Sequence, residues 1–454
     1  MMATSLSRLE YEASPPGRFL FWSLGLFVAA HAAIFLMLPG LETRFQLGDR
    51  AWDRSMKLDA LMSQTSLDGV LAILFRYDAP GDYIFFFPAY ALFGTPGVIA
   101  QNLVLYMIGA WYLYRIAETW FTPFVARMAT VVWLLLPATL FHPHTLVSEA
   151  ICDPLLIAAT FHAGCMLTRR APVTGDAVKF GLVMAILCFV RPFYVLLPLM
   201  VSALALMRGD GLRMKLKAAG IACALSVSLV VLWQAALTLN GGRYPVEPSF
   251  HGLASNLYLR AERGEALGGY RLPEDVRQAR LLPPADFVKL ALEHPLDLGR
   301  TYLSDAVNIA GNTGVNMVYG RFFGLFDLKE ASDADVFKWR DVRDSEGLGP
   351  MLRMLWETSP KAVTYNLAAI CIWALMLVLA AWGLMVLASN VSYPARFRIL
   401  LVLVPAYAIV FCFASGSVRW DHRSPAEFAI CLLLAIGIAA LTGRHTHSRR
   451  TFAE

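Results

Sequence analysis

The feature that most constrains this chain is a series of long, nearly uninterrupted apolar segments. Most are about 18 to 25 residues long, the length that a helix needs to cross a hydrocarbon core of about 30 Å. A transmembrane barrel would instead show alternating segments of about ten residues. Only 16% of the 454 residues are charged, against about 25% in a soluble domain. The sequence therefore predicts an all-α polytopic membrane protein.

About ten transmembrane helices are predicted from these segments. They lie near 18–40, 95–117, 122–140, 148–168, 177–190, 193–208, 216–239, 363–388, 398–415 and 425–442. The pieces 177–190 and 193–208 are short and meet at Arg191-Pro192, where proline disfavours helix in the preceding residue. They form either a tight hairpin or one kinked segment. The first segment follows a polar N-terminus without a small-residue cleavage site, so we interpret it as a retained anchor.

The distribution of Lys and Arg between the short loops predicts the orientation. One set of loops carries most of them: Arg8, Arg18, Arg127, Arg169, Arg170, the stretch 208–217, Arg396, Arg398 and the tail 444–450. The short loops of the other set carry only Arg191, Arg419 and Arg423. Cytoplasmic loops are enriched in Lys and Arg. Ten spans with both termini in the cytoplasm satisfy this pattern.

Two longer loops are predicted on the extracytoplasmic side. The first, 41–94, contains the stretch Trp52 to Phe75, whose apolar residues have near-helical spacing typical of a helix on the membrane surface. The second follows the seventh span and contains no cysteine. Three regions result: an N-terminal transmembrane module (1–239), an extracytoplasmic loop region (240–362), and C-terminal transmembrane helices with a cytoplasmic tail (363–454). No internal repeat supports an inverted-repeat transporter.

Two aspartates directly after the first span are the first candidates for chemistry. Asp49 and Asp53 are four residues apart and would share one helical face. A carboxylate at the membrane surface can accept a proton from a hydroxyl that is becoming a nucleophile. The alternative is an ordinary solvated loop in which Asp49 caps the following helix. Spacing alone favours this alternative.

Three arginines lie in loops that are otherwise poor in basic residues. They are Arg191, Arg419 and Arg423, and His422 adjoins the last of them. Arginine stays charged and presents a fork that matches phosphate oxygens, so a bound lipid phosphate would explain them. Salt bridges to nearby acids such as Glu427 would explain them equally well.

Glu149 opens the fourth predicted span, shortly after His142 and His144. Glu149 and Asp153 could order an active site, although the helix dipole also favours carboxylates at this position. Two histidines without a third ligand are a weak metal signal. The absence of CxxC or Cys/His ligand spacing argues against a structural zinc.

In their order along the chain, these motifs resemble polytopic C-type (GT-C) glycosyltransferases of the group that contains dolichyl-phosphate-mannose protein mannosyltransferases and lipid A aminoarabinose transferases. The matching segments are Gly48-Asp49, Asp82-Tyr83 followed by 88–94, Ser148-Glu149, Val190-Arg191-Pro192, Ser249 with 256–259, and Arg423-Ser424-Pro425-Ala426-Glu427. The sequence departs from the group in two ways. Its first motif lacks the adjacent Asp-Glu pair of many relatives, and no large C-terminal soluble domain is evident.

The resemblance implies a GT-C-like fold and transfer of a sugar from a polyprenyl-phosphate donor to a hydroxyl of a lipid, glycan or protein acceptor, with inversion. Asp49, or else Asp53, would be the base. Arg191, Arg423, Arg419 and His422 would bind the donor phosphate, and the supporting residues would be Asp82, Tyr83, Glu149, His142, Asn256 and Tyr258. No cofactor is required, although Asp49, Asp53 and His142 could converge on a divalent metal.

The same resemblance implies a multi-pass protein of the bacterial cytoplasmic membrane with its site facing outward. Its expected partners are the donor, the acceptor and membrane lipids, and no nucleic acid. A flippase or transporter of lipid-linked sugar is the main alternative, but it would need polar residues at mid-span depth. A glycan ligase or polymerase would rely on Arg243, His251 and Arg260 of the second loop. A membrane scaffold would tolerate loss of Asp49 and Arg191.

Overall fold

The computed structural model of the chain is mainly helical in the residues that it describes. These are 17–38, 40, 51–75, 80–168, 174–206, 212–239, 292–293, 295–296, 309, 313–325, 342, 345–390, 393, 395–414 and 423–444. No strand occurs within these ranges. The predicted all-α fold is therefore confirmed.

The α-helices of these ranges are numbered in chain order. They are α1 (Arg18–Met37), α2 (Ala51–Met62), α3 (Leu67–Leu74), α4 (Gly81–Trp120), α5 (Pro123–Leu134), α6 (Pro137–Phe141), α7 (Glu149–Thr168), α8 (Thr174–Val190), α9 (Leu196–Leu206), α10 (Leu212–Leu239), α11 (Leu348–Thr358), α12 (Pro360–Ser389), α13 (Ala395–Ala414) and α14 (Ser424–Leu441). Two 3₁₀ turns, His142–His144 and Pro192–Val195, and a π-helix, Asn316–Phe322, lie between them.

Each of the ten predicted spans coincides with a helix or a helix pair. Among the described residues, six helices are long and apolar enough to cross a membrane: α1, α4, α7, α10, α12 and α14. A seventh crossing results if α5 and the segment 137–144, which consists of α6 and the following 3₁₀ turn, count as one span. These two parts are bent by 55° relative to each other. The helix α8 is 17 residues long and the segment 192–206 is shorter, so both are shorter than the roughly 20 residues of a typical crossing.

Two elements differ from the sequence prediction. The helix α4 begins at Gly81, well before the predicted start at 95, because Pro88, Gly94 and Pro96 hide the helical pattern. Gly94 has φ 62° and ψ −150° and marks a kink, a conformation open to glycine because it lacks a Cβ. The stretch Trp52 to Phe75 forms two helices, α2 and α3, and the hydroxyl of Ser66 caps α3.

The helix α7 lies at the centre of the bundle. Nearly all of its residues are buried, and it packs against α4, α8, α9, α13 and α14. A helix that is apolar all round is expected in such a position. Beside it, α12 and α14 cross closely at Gly383 and Gly437, because small residues let two helix backbones approach.

The N-terminal ends of α4 and α7 and the C-terminal end of α8 meet at one end of the bundle, which we call the site end. The C-terminal half of α1 also reaches it, where His31 Nδ1 lies 2.8 Å from His144 Nε2. The sequence predicts that this end faces away from the cytoplasm. The contacts at the site end bring together polar residues from distant parts of the chain.

Candidate functional site

Arg54, on α2, links two other elements of the site end. Its Nε donates to Asp82 Oδ2 at 2.6 Å, and its other nitrogens donate to Ser148 Oγ at 3.3 Å and the Leu146 carbonyl at 3.4 Å. The side chains of Arg54 and Asp82 are only 9% and 8% exposed. Burial opposes the charge of Arg54, but Asp82 outweighs it and raises the pKa of Arg54 above its ordinary value. Arg54 therefore remains a buried cation.

Arg191 reaches the same serine from the other side. It ends α8 with an extended backbone before Pro192, and its Nε donates to Ser148 Oγ at 2.9 Å. Its guanidinium also forms an ion pair with Glu149, whose side chain is 1% exposed. Ser148 Oγ in turn donates to Glu149 Oε2 at 3.4 Å. The predicted Arg-Pro turn and the Ser-Glu motif are thus in direct contact.

A third cation, Lys57, lies one turn after Asp53 on α2. Its Nζ is 2.5 Å from Asp53 Oδ2 and 3.2 Å from the hydroxyl of Tyr83. Asp53 is 43% exposed, so this carboxylate is accessible, whereas Asp82 and Glu149 are buried. The backbone N–H of Tyr83 also donates to Asp82 Oδ1 at 2.9 Å, which fixes the start of α4.

These residues form one charge-balanced group, the Arg54–Arg191 cluster. Its members are Arg54, Lys57, Arg191, Asp53, Asp82, Glu149, Tyr83 and Ser148. Asp82 and Glu149 lie in the first turns of α4 and α7, where the helix dipole stabilises a carboxylate. The guanidinium groups suit a phosphate as well as a carboxylate, since both ligands present paired oxygens to the same fork.

Sequence reasoning named five members of the cluster as site residues and missed two basic ones. The predicted members are Asp53, Asp82, Tyr83, Glu149 and Arg191. Arg54 and Lys57 were missed because they stand among acidic residues of the first extracytoplasmic loop, in a stretch that was predicted to be a helix on the membrane surface. The signal for Lys57 in the sequence was its i,i+4 spacing from Asp53.

His142 belongs to a second group, one turn deeper along α7. Its Nδ1 lies 3.2 Å from Asp153 Oδ2 and 3.1 Å from the hydroxyl of Tyr106, which is 3.3 Å from the same carboxylate oxygen. The amide of Asn102 donates to the carbonyls of Pro143 and Thr145 and holds the intervening turn. Within the described part of the chain, no group of three or more His, Cys, Asp or Glu could hold a metal ion.

Arg423 lies in a third set of contacts, at the start of α14. Its Nε donates to Glu427 Oε1 at 3.1 Å, and NH1 donates to the Ile309 carbonyl at 2.7 Å. The guanidinium also stacks 3.9 Å from the ring centroid of Trp373. These contacts fasten Ile309, from the loop region 240–362, to α12 and α14. They include the salt bridge to Glu427 that the sequence left open as an alternative.

Five further predicted site residues lie outside the described ranges. They are Asp49, Arg419, His422, Asn256 and Tyr258. Their assigned roles stay predictions. Asp49 precedes the described start of α2 by two residues, so it adjoins in sequence the helix that carries Asp53, Arg54 and Lys57.

No protein-family model matches the chain, and no curated protein matches it. Among solved structures, the chain is similar to the crystal structure of ArnT from Cupriavidus metallidurans bound to undecaprenyl phosphate. The sequence identity is 12%, the match covers 93% of this chain and 78% of that chain, and the TM-score is 0.41.

Proposed function

We propose that the chain is a membrane glycosyltransferase that transfers a sugar from a polyprenyl-phosphate donor to a hydroxyl acceptor at the extracytoplasmic face of the bacterial cytoplasmic membrane. The observation that carries the proposal is the meeting of Arg54 and Arg191 at Ser148, at one end of a bundle of membrane-length helices. Ionised groups at membrane depth are costly and are functional by default. Two arginines held at one point therefore need an anionic ligand or a structural reason.

The arrangement suits a phosphate ligand. In the cluster, Asp82 and Glu149 neutralise the two guanidinium groups, so an incoming phosphate can exchange with carboxylate oxygens on the same nitrogens. Arg191 is 16% exposed, more than Glu149 or Arg54, which makes it the more approachable of the two arginines. When the sugar departs, negative charge grows on the phosphate, and fixed cations stabilise that charge most where water is scarce.

The remaining phosphate contacts are assigned less directly. Lys57 supplies a third cation in the same cluster, and its side chain is 23% exposed. Arg419 and His422 retain their predicted role as further phosphate contacts. We assign Arg423 to holding Ile309 near α14, because its guanidinium is already engaged by Glu427, Ile309 and Trp373.

A membrane-embedded site fits a donor whose carrier is a lipid. The prenyl tail can remain among the apolar helices while the phosphate reaches the charged residues at their ends. In the described helices, Asp82, Glu149 and Glu427 lie in the first turns of α4, α7 and α14, and Asp153 lies one turn further along α7. A flippase would need polar groups further into the bilayer, along the path of the sugar. This distribution favours transfer at one face.

The chemistry is a direct displacement. The acceptor oxygen attacks the anomeric carbon, the bond from that carbon to the phosphate oxygen breaks with its electron pair leaving on the phosphate, and the hydroxyl proton passes to a carboxylate. An ordinary Asp has a pKa of about 3.9, so proton removal is late and concerted with bond formation. Asp49 is the proposed base, with the accessible Asp53 as the alternative. One displacement inverts the anomeric configuration.

The test is a transfer assay with purified protein in detergent. The donors are radiolabelled polyprenyl-phosphate sugars, the acceptor is a membrane-lipid extract, and the variants are Asp49→Asn, Asp53→Asn and Arg191→Ala. Arg353→Ala is the matched control, because Arg353 is an exposed arginine of α11. Each variant is first checked for folding by its unfolding temperature. We expect Arg191→Ala to lose donor binding and one aspartate variant to lose turnover.

Other outcomes lead to other functions. Transport of lipid-linked sugar across reconstituted vesicles, without transfer from any donor, would replace the transferase with a flippase. Activity only with diphosphate-linked repeat units would indicate a glycan ligase or polymerase. Wild-type activity in all three variants would return the cluster to a structural role.

A further inference from the structure

The hydroxyl of Ser148 makes one donated and two accepted hydrogen bonds, all with charged side chains. The oxygen accepts from Arg191 at 2.9 Å and from Arg54 at 3.3 Å, and the hydroxyl donates to Glu149 at 3.4 Å. A serine hydroxyl has one donor and two acceptor sites. The residue is 2% exposed, so these bonds replace solvent rather than compete with it.

This use of the hydroxyl is unusual for its position in the chain. Ser148 directly precedes α7, where a serine side chain commonly caps the helix by accepting from a backbone N–H two or three residues on. Its carbonyl does accept from the N–H groups of Ile151 and Cys152. The side chain instead turns towards the two arginines. The geometry thus separates two functions of one residue: its backbone starts α7, and its hydroxyl joins Arg54 to Arg191.

We propose that Ser148 is a positioning residue for the donor phosphate, an inference that rests on the proposed function. Arg54 comes from α2 and Arg191 from the turn after α8, so the two side chains are carried by separate elements. Two nitrogens that reach one oxygen at 2.9 and 3.3 Å are at most about 6 Å apart. The oxygens of a single phosphate group can engage both nitrogens at such a spacing.

Removal of the hydroxyl would leave each arginine with its own carboxylate. Arg54 keeps Asp82 and Arg191 keeps Glu149, so the ion pairs that hold the helices persist. The two guanidinium groups would no longer share an acceptor, and their common orientation towards one ligand would be lost. Hydrogen bonds to charged groups are strong enough that this predicts phosphate binding weaker by about 10- to 100-fold.

The experiment measures binding of undecaprenyl phosphate, without a sugar, to the full-length protein in detergent, together with kcat and KM for transfer. Ser148→Ala is compared with Ser148→Thr, which restores a hydroxyl. Ser148→Cys has nearly the original volume but only a weak acceptor, and it replaces the alanine variant if that one fails to fold. Ser226→Ala is the matched control, since this buried serine bonds the Ala222 carbonyl of its own helix, α10.

We expect weaker binding and a raised KM in Ser148→Ala and Ser148→Cys, with recovery in Ser148→Thr and no change in Ser226→Ala. Wild-type binding by a folded Ser148→Ala or Ser148→Cys protein would overturn the positioning role. A lowered unfolding temperature with unchanged binding would likewise reduce Ser148 to a structural residue. If the wild type itself does not bind undecaprenyl phosphate, the proposed function fails, and this result is distinguishable from failure of Ser148 alone.

Discussion

Gly81 provides a test of whether the Arg54–Arg191 cluster depends on one close backbone contact. It is the first residue of α4, and it lies against the backbone of Phe189 and Val190, immediately before Arg191. A Cβ at Gly81 would lie 2.5 Å from the Phe189 carbonyl carbon and 2.7 Å from the Val190 nitrogen. Both neighbours are backbone atoms, so no side-chain rotation can relieve the overlap.

The size of the displacement follows from these distances. Ordinary contact with a Cβ begins at 3.4 Å, and the Phe189 carbonyl oxygen is the nearest atom, so Gly81→Ala must separate the start of α4 from the end of α8 by about 1 Å. Asp82 moves with α4 and Arg191 with α8, and the spacing of the cluster changes accordingly. A misplacement of about 1 Å can reduce a rate about 100-fold. Overpacking also lowers stability by about 1–3 kcal/mol.

The assay compares undecaprenyl phosphate binding, transfer rate and unfolding temperature for the wild type, Gly81→Ala and Gly220→Ala. Gly220 lies within α10, and a Cβ there meets nothing within 4 Å, so this control adds the same methyl group without an overlap. We expect Gly81→Ala to remain folded and to lose about 10- to 100-fold in binding or rate. Wild-type binding and transfer in Gly81→Ala would refute the link between this contact and the site.

Two further predictions concern stability. Arg54→Met should lower the free energy of unfolding by about 3–5 kcal/mol, because it leaves Asp82 charged and buried without its ion-pair partner. Adding Asp82→Asn should recover part of this loss in a denaturant titration. Equal stabilities of the single and double variants would contradict this prediction. Gly383→Ala should lower the unfolding temperature and reduce the free energy of unfolding by about 1–3 kcal/mol, since its Cβ would lie 2.8 Å from the Leu433 carbonyl carbon and 2.9 Å from the Gly437 nitrogen. An unchanged unfolding temperature would show that α12 and α14 can separate without loss of stability.

The helical architecture was largely readable from local pattern. A backbone group in hydrocarbon has no water to bond, so a long apolar segment must satisfy its own hydrogen bonds as a helix. That rule is local, and it located a helix at every predicted span. It failed at the start of α4, where Pro88, Gly94 and Pro96 interrupt the pattern although the chain remains helical on both sides of the kink.

The candidate site was only partly readable. The sequence placed Glu149 and Arg191 at helix ends but left Asp82 in a loop, and the structure brings all three residues to one end of the bundle. It offered a salt bridge or a phosphate for Arg423 without a means to decide, and the structure shows the salt bridge to Glu427. The i,i+4 spacing of this pair was visible along a single helix, whereas a contact between different helices leaves no such spacing.

By itself the sequence determined that the chain is a bundle of apolar helices and that its charged residues collect at helix ends. Both features follow from the cost of placing a polar group in lipid, which applies to each residue separately. Only the tertiary structure decided that Arg54 pairs with Asp82, that Arg191 pairs with Glu149, and that both arginines meet at Ser148. These contacts depend on how α2, α4, α7 and α8 pack. That packing is set by many side chains at once, including the missing Cβ of Gly81.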